Sequence, residues 1–92
     1  MGATAVRAKV WQQIAQLNQQ ISENEKLLLQ INDQIKFSKA LIKVDTKLLE
    51  TGDVKIADLV LAINSYLTVR NLKTQTIISK LQLINQLNYW TR

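Results

Sequence analysis

The chain contains no cysteine, no histidine and no proline, and of its 2 glycines one stands at position 2 and the other at Gly52. Without cysteine there is neither disulfide nor thiolate chemistry. Without histidine as well, the familiar zinc sites and the Ser-His-Asp and Cys-His arrangements are excluded, so an enzyme is not expected and no cofactor or metal is called for. The missing helix breakers are equally telling: between about Ala5 and Trp90 only Gly52 interrupts helix. Aromatic residues make up 5% of the chain. No window approaches the roughly 18 apolar residues of a transmembrane helix, and Met1 to Arg7 lack the apolar centre of a signal peptide.

Gly52 therefore sets the architecture. The expected fold is all-α: a long antiparallel helical hairpin filling residues 1–92, with a first helix over about 5–50, a turn at 51–53 and a second helix over about 54–90. At 1.5 Å per residue each arm is on the order of 60 to 70 Å long. Rods of that length bury little of themselves and normally need partners.

The apolar residues repeat with a seven-residue period. In the first arm Ile14, Ile21, Leu28, Ile35, Ile42 and Leu49 form one heptad position without a miss. Its companion, Val10, Leu17, Asn24, Ile31, Ser38 and Asp45, turns polar or small toward Gly52. That pattern specifies a coiled-coil seam far from the turn and a looser one near it. Leu27, Leu41 and Leu48, with Phe37 and Val44 beside them, widen the stripe into a second seam. A helix with two seams touches two neighbours, as in a four-helix bundle of dimerised hairpins or a larger helical barrel. In the second arm the expected seam is Ile56, Ile63, Ile77 and Ile84 in one register with Val60, Leu67 and Leu81 in the other. Arg70 and Thr74 interrupt both, either as a polar layer that fixes register or with the Arg70 stem reaching solvent.

The net charge is +5. Lys36, Lys39, Lys43 and Lys47 make the densest basic run, with Asp33, Asp45 and Glu50 at helical pairing distance, so a solvated face is expected rather than a phosphate-binding stripe. Nucleic acid is not an expected partner. Gln and Asn are frequent, for example at Gln12, Gln13, Gln16, Gln30, Gln34, Asn64 and Gln82, and such neutral polar faces solvate a helix or line a water-filled interior.

Thr51-Gly52-Asp53 is good chemistry for a hairpin turn: glycine accepts the left-handed conformation after a helix, and Asp53 is placed to cap the next one. The residues that follow resemble the periplasmic tip of the TolC-type outer-membrane efflux proteins. From Gly52, Ile56 takes an apolar place, Asp58 an acidic one, Leu59 and Val60 paired apolar ones, and Ala62 a small one. Tyr66-Leu67 and the run from Leu81 to Trp90 are similar to that family's last helix as it returns toward the membrane.

The resemblance implies a passive export duct in which three subunits join a membrane β-barrel to an α-helical tunnel. This chain corresponds to the C-terminal hairpin alone, periplasmic in a parent protein of the bacterial outer membrane. It further implies that Gly52, Asp53, Val54 and Lys55 meet the hairpin tips of a periplasmic adaptor protein. Asp58 falls where the family can carry an acidic ring at the tunnel constriction; its other reading is a carboxylate that only favours the helix dipole. Leu61 stands where some members carry a second acid, which points instead to an apolar constriction opened by helix movement. Two other readings place the hairpin in the adaptor itself, whose Arg, Leu and Ser pattern is missing around Gly52, or in a stand-alone coiled-coil module. In each of them self-association is expected.

Overall fold

The computed structural model describes residues 2–91, which form two helices: α1, Gly2–Glu50, and α2, Ile56–Thr91. They pair as an antiparallel hairpin measuring 75 × 17 × 14 Å. Its radius of gyration is 21.0 Å, against about 12 Å for a compact domain of this length. The all-α hairpin read from the sequence is therefore the fold observed. Its bounds differ: α1 already begins at Gly2, and the connection runs over 51–55 instead of 51–53, so that α2 starts at Ile56.

The turn is a Schellman closure. Gly52 has φ +80°, the Gly52 N–H donates to the Leu49 carbonyl at 3.1 Å, and the Asp53 N–H donates to the Leu48 carbonyl at 2.8 Å. Carbonyls left free at the end of α1 are thereby satisfied. Asp53 does not cap α2, contrary to expectation. Its Oδ2 lies 2.6 Å from Thr51 Oγ1, which also lies 3.0 Å from the Leu48 carbonyl; one hydroxyl proton serves one of these acceptors at a time. Asp58 takes over at the start of α2: its Oδ2 accepts from the Lys55 N–H at 3.4 Å, while its own N–H donates to the Lys55 carbonyl at 3.0 Å. This is one half of a capping box, the Asp58 side chain reaching back to the Lys55 N–H while the second bond is an ordinary backbone turn, with a carboxylate in the first turn where the dipole favours it.

In α1 the buried and half-buried residues are Val10, Gln13, Ile14, Leu17, Ile21, Asn24, Leu28, Ile31, Asn32, Ile35, Ser38, Ile42, Asp45, Leu48 and Leu49. Both heptad sets of the sequence thus face the partner helix. Leu17 and Ile31 are the most deeply buried, at 2% and 1% exposure.

In α2 the seam is a different one from that expected. Leu59, Ala62, Tyr66, Val69, Lys73, Thr76, Lys80, Leu83, Ile84 and Leu87 turn inward, whereas Ile56, Val60, Ile63, Leu67, Ile77 and Leu81 are exposed. α2 carries two heptad stripes, and the tight turn decides which one meets α1. The inward stripe suits close approach: Ala62 and Thr76 are small, and Lys73 and Lys80 have stems long enough to cover apolar surface while their charges reach water. Thr76 meets its own hydrogen-bonding need by donating to the Leu72 carbonyl at 2.7 Å.

Candidate functional site

Two polar contacts cross the seam and fix its register. Asn24 Nδ2 donates to Ser79 Oγ at 3.4 Å, and Lys80 Nζ lies 3.4 Å from Glu25 Oε1. Together they place residues equidistant from Gly52 at the same level: Leu17 with Leu87, Ile31 with Lys73, and Ile42 with Ala62. Successive helical residues point about 100° apart. The Asn24–Ser79 contact therefore marks one flank of the hairpin and the Glu25–Lys80 contact the other.

Helical spacing then assigns the exposed apolar residues to flanks. Phe37, Leu41 and Val44, with Leu27 farther down and the half-buried Leu48 at the tip end, lie on the Asn24–Ser79 flank of α1. Ile56, Val60, Ile63 and Leu67, continued by Ile77 and Leu81, lie on the Glu25–Lys80 flank of α2. Leu48 apart, exposure along the stripes runs from 38% at Leu27, Ile63 and Ile77 to 70% at Phe37. The second α1 seam expected from the sequence is thus present and unpartnered. Its counterpart on α2 is the very stripe that the sequence assigned to the interior.

A cleft of about 320 Å³ opens on the Glu25–Lys80 flank, where Lys39, Arg70 and Lys73 surround Ile35, Tyr66, Thr74 and Ile77. The Arg70 guanidinium lies 5.7 Å from the Tyr66 ring centroid, and its Nη1 is 3.4 Å from the Tyr66 hydroxyl. Arg70 is exposed, as the solvent-reaching reading of it supposed. Among the described residues the only ion pair is Lys80–Glu25. Lys36, Lys39, Lys43 and Lys47 are all exposed, as a solvated face requires; the spacing that would allow them to pair with Asp33, Asp45 and Glu50 is not used, and Asp45 lies half-buried in the seam.

The tip residues Gly52, Asp53 and Lys55 are exposed and Val54 is half-buried. Nothing lies within 4 Å of where a Gly52 side chain would begin. Asp58 and Leu61 are both exposed, three positions apart on one side of α2, away from the inward Leu59 and Ala62. At the opposite end Val6, Val10, Trp11 and Ile14 of α1 meet Trp90 of α2 in an open groove of about 530 Å³. Trp90 packs edge-on against Tyr89, the ring centroids 5.5 Å apart. No described helix is long and apolar enough to cross a membrane. Among the described residues, no group of acidic side chains is placed to hold a metal ion.

Comparison with protein-family models, with curated proteins and with solved structures returned no match.

Proposed function

We propose that this chain is a wall segment of a helical duct, the tunnel-forming periplasmic hairpin of a TolC-like outer-membrane efflux protein. It acts by assembly and passive passage, without chemistry of its own. One observation carries this reading: the hairpin keeps an apolar stripe on each of two opposite flanks, both concentrated in the half nearest the tip. A hairpin complete in itself has no use for either.

Areas support the same conclusion. The chain exposes 7274 Å², whereas a compact protein of its mass exposes about 5,400 Å². The excess of roughly 1,800 Å², spread along the rod, is of the order that a stable interface buries in total. In the parent protein, a trimer, the flanks would be covered by neighbouring hairpins.

In this reading the uncovered tip, Gly52 to Lys55, docks a periplasmic adaptor protein, and Asp58 and Leu61 line the constriction. Because Asp58 also accepts from the Lys55 N–H at the start of α2, its carboxylate has a structural duty whatever it faces. The test is binding of the hairpin to the purified adaptor encoded in the same genome, with wild type compared to the double variant Asp53→Ala, Lys55→Ala. A weakening of at least about tenfold, equivalent to 1.4 kcal/mol, with unchanged helicity is expected. Unchanged binding by the double variant overturns the tip assignment.

A further inference from the structure

We infer that the two outer stripes are complementary to each other, so that copies of this chain join flank to flank in one definite register, tips pointing the same way. This rests on reading the hairpin as a unit of assembly. It adds which residues meet.

The register follows from the hairpin itself. Placed side by side at equal height, the α1 stripe of one copy and the α2 stripe of the next face each other, antiparallel, at positions equidistant from Gly52. Leu48 then meets Ile56, Val44 meets Val60, Leu41 meets Ile63, and Phe37 meets Leu67. The next two levels are polar on both sides, Gln34 with Arg70 and Gln30 with Thr74. Below them Leu27 meets Ile77. Apolar residues oppose apolar ones and polar residues oppose polar ones at every level from Leu48 to Leu27.

The spacing within the stripes is what makes this alignment continuous. On α1 the intervals run four, three and four residues through Phe37, Leu41, Val44 and Leu48; on α2 they run four, three and four through Ile56, Val60, Ile63 and Leu67. Two such ladders run antiparallel interleave as the internal seam does. Arg70, left without a carboxylate in the single hairpin, would gain the Gln34 carboxamide oxygen as an acceptor. A polar level of this kind favours one register, because a slip by one step toward the tip of α1 would set Arg70 against Phe37, and a slip the other way, which leaves it against Gln30, would set Leu67 against Gln34.

The contact joins two different surfaces, so it is heterologous and repeats from copy to copy until it closes. A symmetric alternative exists, in which two α2 stripes pair antiparallel, Ile63 with Leu81 and Leu67 with Ile77. That arrangement leaves the α1 stripe from Phe37 to Leu48 bare. The flank-to-flank contact covers both stripes.

The absence of cysteine makes disulfide trapping clean. Three double variants of the full chain are oxidised under mild conditions: L41C/I63C, L41C/L67C and I63C/L81C. A disulfide needs Cβ atoms about 3.5 to 4.5 Å apart, while one heptad step moves a partner by about 6 Å. The expected result is a covalent ladder of dimers, trimers and larger species from L41C/I63C, at least about tenfold weaker from L41C/L67C. Covalent dimers from I63C/L81C, with no ladder from L41C/I63C, would overturn the flank-to-flank register and leave the assembly reading standing. No intermolecular disulfide in any variant, with wild type sedimenting as a monomer at high micromolar concentration, would overturn both.

Discussion

Lys80 Nζ and Glu25 Oε1, 3.4 Å apart, join the two helices on one flank while Asn24 and Ser79 join them on the other. These contacts matter more for alignment than for energy. The lysine is 28% exposed and the glutamate 56%, so water screens the pair and holding two long side chains in place costs entropy. Replacing Glu25 by Gln is expected to cost no more than about 1 kcal/mol, measured by urea unfolding. A loss several times larger would mean that the pair does more than mark the register.

Gly52→Ala isolates the cost of the turn. With φ at +80° and no atom within 4 Å of the new Cβ, the substitution meets no clash, only the left-handed backbone that side chains resist. Destabilisation of about 1 to 2 kcal/mol is expected, with Gly52→Asn milder. The comparison is the urea midpoint of the three proteins at one protein concentration.

The start of α2 separates two neighbouring aspartates. Asp58→Ala removes the acceptor of the Lys55 N–H and a carboxylate from the first turn, and is expected to lower stability by about 0.5 to 1 kcal/mol. Asp53→Ala removes an acceptor of the Thr51 hydroxyl, which retains the Leu48 carbonyl, and should have a smaller effect. Thermal unfolding of both variants in parallel checks the order.

Interior and flank residues should respond in different observables. Leu17→Ala or Ile31→Ala opens a hole at a fully buried site and should cost about 2 to 5 kcal/mol, enough to unfold a small hairpin. Phe37→Ser and Ile63→Ser strip apolar surface from the flanks, and each should weaken self-association about 10- to 100-fold, as expected for about 1.5 to 3 kcal/mol of lost burial. Their helicity at low concentration should stay unchanged. Circular dichroism reads the loss of stability at the interior sites and the retained helicity at the flanks; sedimentation over a concentration series reads the weakened self-association.

The parts of the hairpin legible in the sequence are those where one physical demand acts alone. Ile14 to Leu49 recur every seven residues, and no rival stripe on α1 is equally continuous, so its inward face could be read directly. On α2 two heptad stripes compete. The one from Ile56 to Leu81 is richer in β-branched residues, yet the inward face belongs to Leu59, Ala62, Tyr66 and their fellows. Periodicity reports how many apolar faces a helix has; which of them meets a given neighbour depends on how the turn sets the helix about its own axis. Asp53 shows the same limit on a smaller scale: its type and position suit an N-cap, but the Schellman closure extends the loop and the carboxylate that serves the start of α2 is Asp58, inside the first turn. The tip itself was legible because glycine has few other reasons to stand there. The missing ion pairs along Lys36 to Lys47 follow from exposure, since solvated lysines gain little from fixed partners.

The reading of the chain as a segment of a duct is tested most directly by sequencing the coding region on both sides of it in the source genome. The expected result is a continuous upstream frame encoding a signal peptide, a second glycine-centred hairpin and alternating amphipathic strands that end near Met1. An in-frame stop directly before Met1, with no such frame upstream, would contradict the duct and leave a self-associating coiled-coil protein.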